Sequence, residues 1–131
     1  MGDVFYSFWF RFVFKYSYII EIENFAKLQE IVIRDYNTFS GLMLERYFHR
    51  VAMESGEFTR IGRWWDRKGE NEIDMIAEDE LTDSAIFYEI KRQKDDINLG
   101  ALKQKVDVFL QATHQFKGYG ITYKGLSIQE M

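Results

Sequence analysis

The sequence predicts an α/β fold: a small mixed sheet flanked by helices, in the order α-β-β-β-α-β, behind a helical N-terminal extension. Three observations lead there. Up to about position 55 the apolar residues recur at the three-to-four-residue helical period. Between Phe58 and Lys91 they gather instead into short aliphatic and aromatic runs bounded by polar turns, the pattern of strands. After Asn98 the helical period returns, and one more strand-like run closes the chain.

The elements follow in order. Phe5, Phe8, Trp9, Phe12, Val13 and Tyr16 keep helical spacing with Arg11 and Lys15 off the stripe, which predicts an amphipathic helix of about four turns from Asp3. A second helical segment is expected over Ile22 to Asp35. Asn37 or Thr38 can cap a third, running to about Glu54 and stopping at Ser55-Gly56. Phe58 to Asp66 reads as the first strand, with Lys68-Gly69-Glu70-Asn71 as its turn. Glu72 to Ala77 is the second strand, Asp79 to Ser84 a polar connection, and Ala85 to Lys91 the third strand. Asp96 or Asn98 can cap a helix to about Gln111, whose apolar face is Leu99, Leu102, Val106, Phe109 and Leu110. Lys117 to Tyr123 is the last strand. Residues 1–36 are thus expected to form the extension and 37–131 the α/β domain.

Composition narrows the function classes. A chain of 131 residues with 47% apolar and 18% aromatic residues can bury a core and is not disordered. It has no cysteine, which excludes disulfides and thiolate metal sites and fits a reducing cytoplasm. The net charge is −4, and acidic residues outnumber basic ones between Arg60 and Lys105, so the basic footprint of a tight nucleic-acid binder is missing. The aromatic N-terminal run carries Arg11 and Lys15 in its middle and falls short of the roughly 20 apolar residues a membrane helix needs. No membrane segment and no signal peptide are expected. There is no Gly-x-x-x-x-Gly-Lys-Ser/Thr and no Gly-x-Ser-x-Gly, so neither a P-loop for ATP nor a hydrolase elbow is expected in this chain.

The chemistry concentrates at Asp74, on the second strand, and at Glu89-Ile90-Lys91, at the end of the third. Residues two apart on a strand share a face, so Glu89 and Lys91 project side by side with Phe87. Two carboxylates and an ammonium on adjacent strands can hold a divalent cation and steady a phosphate. Plainer readings stand beside this one. Asp74 also suits an edge strand on which Ile73, Met75 and Ala77 face the core while Glu72, Asp74 and Glu78 face solvent. Glu89 and Lys91 also suit a surface ion pair, which contributes little. His49 and His114 have no partner at metal-ligand spacing and receive no catalytic role.

An Asp on the second strand and Glu-x-Lys on the third, within this order of elements, resemble the PD-(D/E)xK, or restriction-endonuclease-like, superfamily. More narrowly, Phe8-Trp9-Phe10-Arg11-Phe12-Val13, Ile61-Gly62-Arg63-Trp64-Trp65-Asp66, Glu72-Ile73-Asp74 and Tyr88-Glu89-Ile90-Lys91 are similar to the C-terminal domain of unknown function attached to archaeal and bacterial AAA-type ATPases. The resemblance covers most of the chain. It implies that Asp74 and Glu89, with the carbonyl of Ile90, hold Mg²⁺ or Mn²⁺, and that Lys91 orients the attacking water or stabilises the charged transition state. It also implies a Glu on the first core helix. Glu45 is the candidate, lying opposite Met43, Tyr47 and Val51 and sharing a face with His49; it equally suits an exposed helix carboxylate. The signature's proline is replaced here by Ile73.

The expected activity is then a metal-dependent DNA phosphodiesterase. The alternative is a catalytically inactive nuclease-fold module that docks, dimerises or regulates an ATPase. The expected partners are DNA, and an ATPase module or a second copy of this chain held through the N-terminal aromatic helix.

Overall fold

The computed structural model describes residues 6–131. Asp3 and Phe5, expected in the first helix, lie outside the described residues. The elements are a π-helical segment Trp9–Phe14, α1 (Ser17–Glu21), α2 (Phe25–Ser55), β1 (Arg60–Trp65), β2 (Glu72–Asp79), β3 (Ser84–Ile90), α3 (Leu99–Ala112) and β4 (Gly120–Leu126). This is the α/β class with a helical N-terminal region. The chain divides into two compact units, Met1–Met43 and Leu44–Met131, with the boundary inside α2. Among the described residues no helix is long and apolar enough to cross a membrane.

In the first unit the single four-turn helix is not formed. The Lys15 N–H reaches back five residues to the Phe10 carbonyl at 3.2 Å, the wide π pattern, and the chain breaks at Tyr16 before α1 begins. Phe12 is buried and packs its ring against Phe8 and Phe39 at 4.9 and 5.4 Å between centroids. Trp9, Phe10 and Phe14 cluster on one another yet stay exposed.

The second and third helices expected from sequence are one helix, α2. Asn37 and Thr38 lie inside it and cap nothing. No proline interrupts this stretch, and the nearby Ser40 hydroxyl donates to the Asn37 carbonyl three residues back. The stop at Ser55-Gly56 forms as expected, with Gly56 at φ +71° in the left-handed region glycine tolerates.

The second unit is a four-stranded sheet in the order β1-β2-β3-β4. The first two pairings are antiparallel hairpins, and β3–β4 is parallel, with α3 as the crossover. Asp79-Thr82 and the left-handed Asp83 make the tight β2–β3 turn. The last strand starts three residues later than expected. Residues 114 to 119 form a turn, with Gly118 at φ +81°, that drops Phe116 into the core.

The interior strands are buried on both faces, which explains their near-continuous apolar runs. One face packs Ile73, Ile76, Ala85 and Phe87 against Leu102, Val106 and Phe109 of α3. The other packs Met75, Ala77, Tyr88 and Ile90 against Leu44, Phe48 and Ala52 from the last turns of α2. The inward side of α2 is therefore not Met43, Tyr47 and Val51: Tyr47 and Val51 are exposed. Neither is β2 an edge strand, and Glu78, expected in solvent, is buried at 2% exposure. Ile73, Met75 and Ala77 do face the interior, and of the two tryptophans Trp64 packs inward on Phe109 while Trp65 stays exposed.

Candidate functional site

The start of β2 and the end of β3 lie at the same end of the sheet, and there the β2 backbone is irregular. Trp64 pairs with Ile73 and Gly62 with Ile76, so Asp74 and Met75 together face the single residue Arg63. That count is a β-bulge, a device that re-aims side chains and is enriched beside functional sites. On the other side the β2–β3 ladder ends at Met75 opposite Tyr88, and one further step sets Asp74 opposite Glu89.

At that step side chains replace the ladder. The Ile90 N–H donates to the Asp74 carboxyl, Oδ2, at 2.8 Å. The Asp74 carbonyl accepts instead from His49 Nε2 at 3.0 Å. A carbonyl can only accept, so Nε2 carries the proton in this contact. Asp74 is thus fixed from two directions, at its carboxyl by β3 and at its backbone by α2.

Glu45 stands one helical turn before His49 on α2 and is mostly buried. Its Oε2 lies 3.9 Å from the Arg63 guanidinium. Arg63 also donates to Glu72 at 3.0 Å and lies over the Trp65 ring at 5.5 Å. Burial pushes the Glu45 carboxyl up to about 7; the neighbouring Asp74 pushes the same way, while Arg63 and Lys91 oppose. Asp74 is raised as well, chiefly by burial, with the Ile90 N–H, Lys91 and Lys105 pulling it back. Glu45, Asp74 and Lys91 therefore sit within electrostatic reach of one another.

Glu89 shares the end of the sheet but is held elsewhere. It is buried, and its Oε2 accepts the Asn98 N–H at 2.7 Å. Asn98 caps α3 as expected, its side chain accepting from Ala101 N–H at 3.0 Å. Glu89 thereby pins the entry of α3 to β3 through one of its two oxygens. Ile90 contributes its N–H to Asp74, and Lys91 lies exposed just past the strand, its N–H donating to the Leu126 carbonyl. Among the described residues no group of three or more His, Cys, Asp or Glu side chains is placed to hold a metal ion.

The structure therefore brings together Glu45, Asp74 and Lys91 of the expected set, and leaves Glu89 beside them with an oxygen committed to α3. It adds three residues outside that set: His49, which shares a helix face with Glu45 but received no catalytic role from its spacing, Arg63, which the sequence showed only as part of the Gly-Arg-Trp-Trp-Asp run, and Lys105, whose spacing beside the apolar face of α3 suits a solvated lysine as well as a phosphate contact.

Residues 9–108 match the model of a family, DUF234, described as archaea bacterial proteins of unknown function. The chain belongs to this family. The matched span runs from the aromatic N-terminal segment through the bulge, Glu89-Ile90-Lys91 and most of α3, so it takes in every residue of the cluster above. The chain is also similar to an uncharacterized protein, MJECL04, of Methanocaldococcus jannaschii, with 36% identity over 96 residues. That match covers 68% of this chain and 21% of the relative, so the chain spans about a fifth of that protein's length. No solved structure matches the chain significantly.

Proposed function

We propose that this DUF234 chain is a metal-dependent phosphodiesterase acting on DNA, with a restriction-endonuclease-like core and Asp74, Glu89, Glu45 and Lys91 as its working residues. The observation that carries this reading is the Glu45–Asp74 pair. Burial raises both half-buried carboxyls beside a backbone irregularity, and the charge of Asp74 raises Glu45 further, which Arg63 and Lys91 only partly offset. Such a pair is short of positive charge, and a hard divalent cation with oxygen preference answers that shortage.

The donor set fits the ion in chemistry. Asp74 and Glu45 would supply carboxylate oxygens and Ile90 its carbonyl, while Glu89, held by Asn98 and not grouped with them, would have to turn toward the ion to join. Bound Mg²⁺ or Mn²⁺ would supply Lewis acidity toward a phosphate oxygen and lower the pKa of its water. The residues do the rest. The Ile90 N–H and the His49–carbonyl contact hold Asp74 in one orientation. Glu45, raised to about 7 by burial in the metal-free protein, would give up its proton when the cation binds and add a second carboxylate beside Asp74. Lys91, exposed beside both carboxyls, offers a cation to the charge that builds on the phosphate.

The test is cleavage of mixed DNA substrates with and without Mg²⁺ or Mn²⁺, comparing wild type with Asp74→Ala and Lys91→Ala. Metal-dependent cutting abolished by both substitutions is expected. A folded protein that cuts nothing with either metal would sink the proposal.

A second reading has its own observation. Trp9, Phe10 and Phe14 form an exposed aromatic cluster, at 38%, 56% and 60% exposure, inside the family-matched span. Aromatic surface of this kind marks interaction sites. In this reading the domain is a docking or regulatory module of an AAA-type ATPase, or of a second copy of itself, and does no chemistry. Removing the cluster by substitution would then abolish association while leaving Asp74→Ala without effect.

A further inference from the structure

A second set of polar groups lies farther along β2, away from the acidic pair. Glu78 is buried at 2% exposure in the wall of a cavity of about 210 Å³. Its Oε1 accepts from Gln115 Nε2 at 2.9 Å and its Oε2 from the Tyr119 hydroxyl at 2.8 Å. The bond to Glu78 pushes the Tyr119 hydroxyl up to about 12, which keeps it a donor at any ordinary pH. Both donors are neutral, and among the described residues no Lys, Arg or His pairs with Glu78. Each oxygen of the buried carboxylate thus has one partner. The carboxylate has about four acceptor sites, and the two contacts fill only two of them.

The rest of the cavity has a matching order. Trp64, Phe109 and Phe116 line it as aromatic surface. Arg60 and Arg63 line it too, with side chains 61% and 42% exposed, so they stand toward the mouth while Glu78 lies at depth. Arg60 pairs with Glu80 at 3.7 Å and Arg63 with Glu72 at 3.0 Å, both surface carboxylates about half exposed, and Arg63 also lies 3.9 Å from the mostly buried Glu45. Exposed pairs of this kind are weak and yield readily to a phosphate.

We propose that this cavity binds a guanine base, with Glu78 accepting its two adjacent N–H donors, the aromatic walls lying against the ring, and Arg60 and Arg63 meeting the attached phosphate. A planar group with two parallel N–H donors fits the two open acceptor sites of one carboxylate. The volume suits a single base, and cations at the mouth suit a nucleotide over a bare base. The base comes either from a free guanine nucleotide or from an unpaired position in a nucleic-acid strand. The inference stands apart from the phosphodiesterase reading, although Arg63 touches both regions.

The experiment titrates the full chain with GMP, IMP, AMP and guanosine, following tryptophan fluorescence and the Tyr119 and Gln115 NMR signals. GMP is expected to bind one-to-one and about tenfold or more tighter than AMP, which has no N1–H to give Glu78, with IMP between them. Glu78→Gln puts an amide N–H₂ against the base donors and should weaken GMP about tenfold or more. If Glu78→Gln fails to fold, the GMP–IMP–AMP order in wild type and the exposed Arg60→Ala decide. Arg60→Ala should weaken GMP and leave guanosine unchanged. A short deoxyguanosine single strand that binds more tightly than GMP assigns the site to nucleic acid, and one that binds less tightly assigns it to the free nucleotide. Equal affinity for GMP and AMP, or no signal change at millimolar GMP, overturns the proposal.

Discussion

Glu45→Gln is expected to change how the stability of the metal-free protein depends on pH. The folded Glu45 carboxyl is raised above its ordinary value, so the folded state holds that proton more tightly than the unfolded chain does. Below the unfolded value both states are protonated and no cost appears. As pH rises through the interval, ionising Glu45 next to Asp74 costs stability, and above the folded value the full cost is present. The shift from 4.5 to about 7, at about 1.4 kcal/mol per unit, sets a ceiling of about 3 kcal/mol. The side chain is 18% exposed, so screening by water reduces the expected effect to about 2 kcal/mol. Glutamine keeps the shape and carries no charge. In urea unfolding with a chelator present, Glu45→Gln should match wild type near pH 4 and exceed it by about 2 kcal/mol near pH 8. The ¹³C signal of the Glu45 carboxyl, followed by NMR, should titrate about 7. A midpoint near 4.5, or two stability curves that run parallel across this pH range, would mean that Glu45 ionises in the folded protein as it does in the unfolded chain.

Three further outcomes follow from the geometry. His49→Ala removes the donor to the Asp74 carbonyl and should cost about 1 kcal/mol while speeding hydrogen exchange at the Ile90 amide; His49→Gln, whose Nε2 can take the same place, should restore both. Gly125→Ala drives a new Cβ into the Ile97 side chain and should destabilise by about 1–3 kcal/mol, an effect the additional Ile97→Ala change should largely relieve in thermal unfolding. Phe87→Ala empties a fully buried position between Phe109 and Phe116 and should cost about 3–5 kcal/mol by chemical denaturation, with exposed Trp65→Ala changing little by comparison.

The sheet was legible because its signals are local. Runs such as Ala85 to Ile90 carry strand composition, and residue type narrows the cap of α3 to Asp96 or Asn98, of which Asn98 serves. The N-terminal half was less legible for a physical reason: helical period fixes the conformation but not where one helix stops. Asn37 and Thr38 look like caps, yet with no proline or helix-ending glycine beside them the chain continues through as α2. Period also failed to choose the buried side of α2, because Tyr47 and Val51 are as apolar as Leu44 and Phe48, and only the sheet decides between them. For the site, strand composition put Asp74 and Glu89 on adjacent strands. It could not show the bulge, which depends on how β1 pairs, nor the contact from His49, which comes from another element. Glu78 was misjudged for the same reason: its two partners come from the turn after α3, far along the sequence.

The most direct measurement is Mn²⁺ binding, by calorimetry and by electron paramagnetic resonance, to wild type, Asp74→Asn and Glu45→Gln. Wild type should show one Mn²⁺ site that Asp74→Asn abolishes and Glu45→Gln weakens, with protons released on binding at neutral pH as Glu45 is forced to ionise. Wild-type protein that takes up no Mn²⁺ at millimolar concentration, or that binds it equally well without the Asp74 carboxylate, would contradict it.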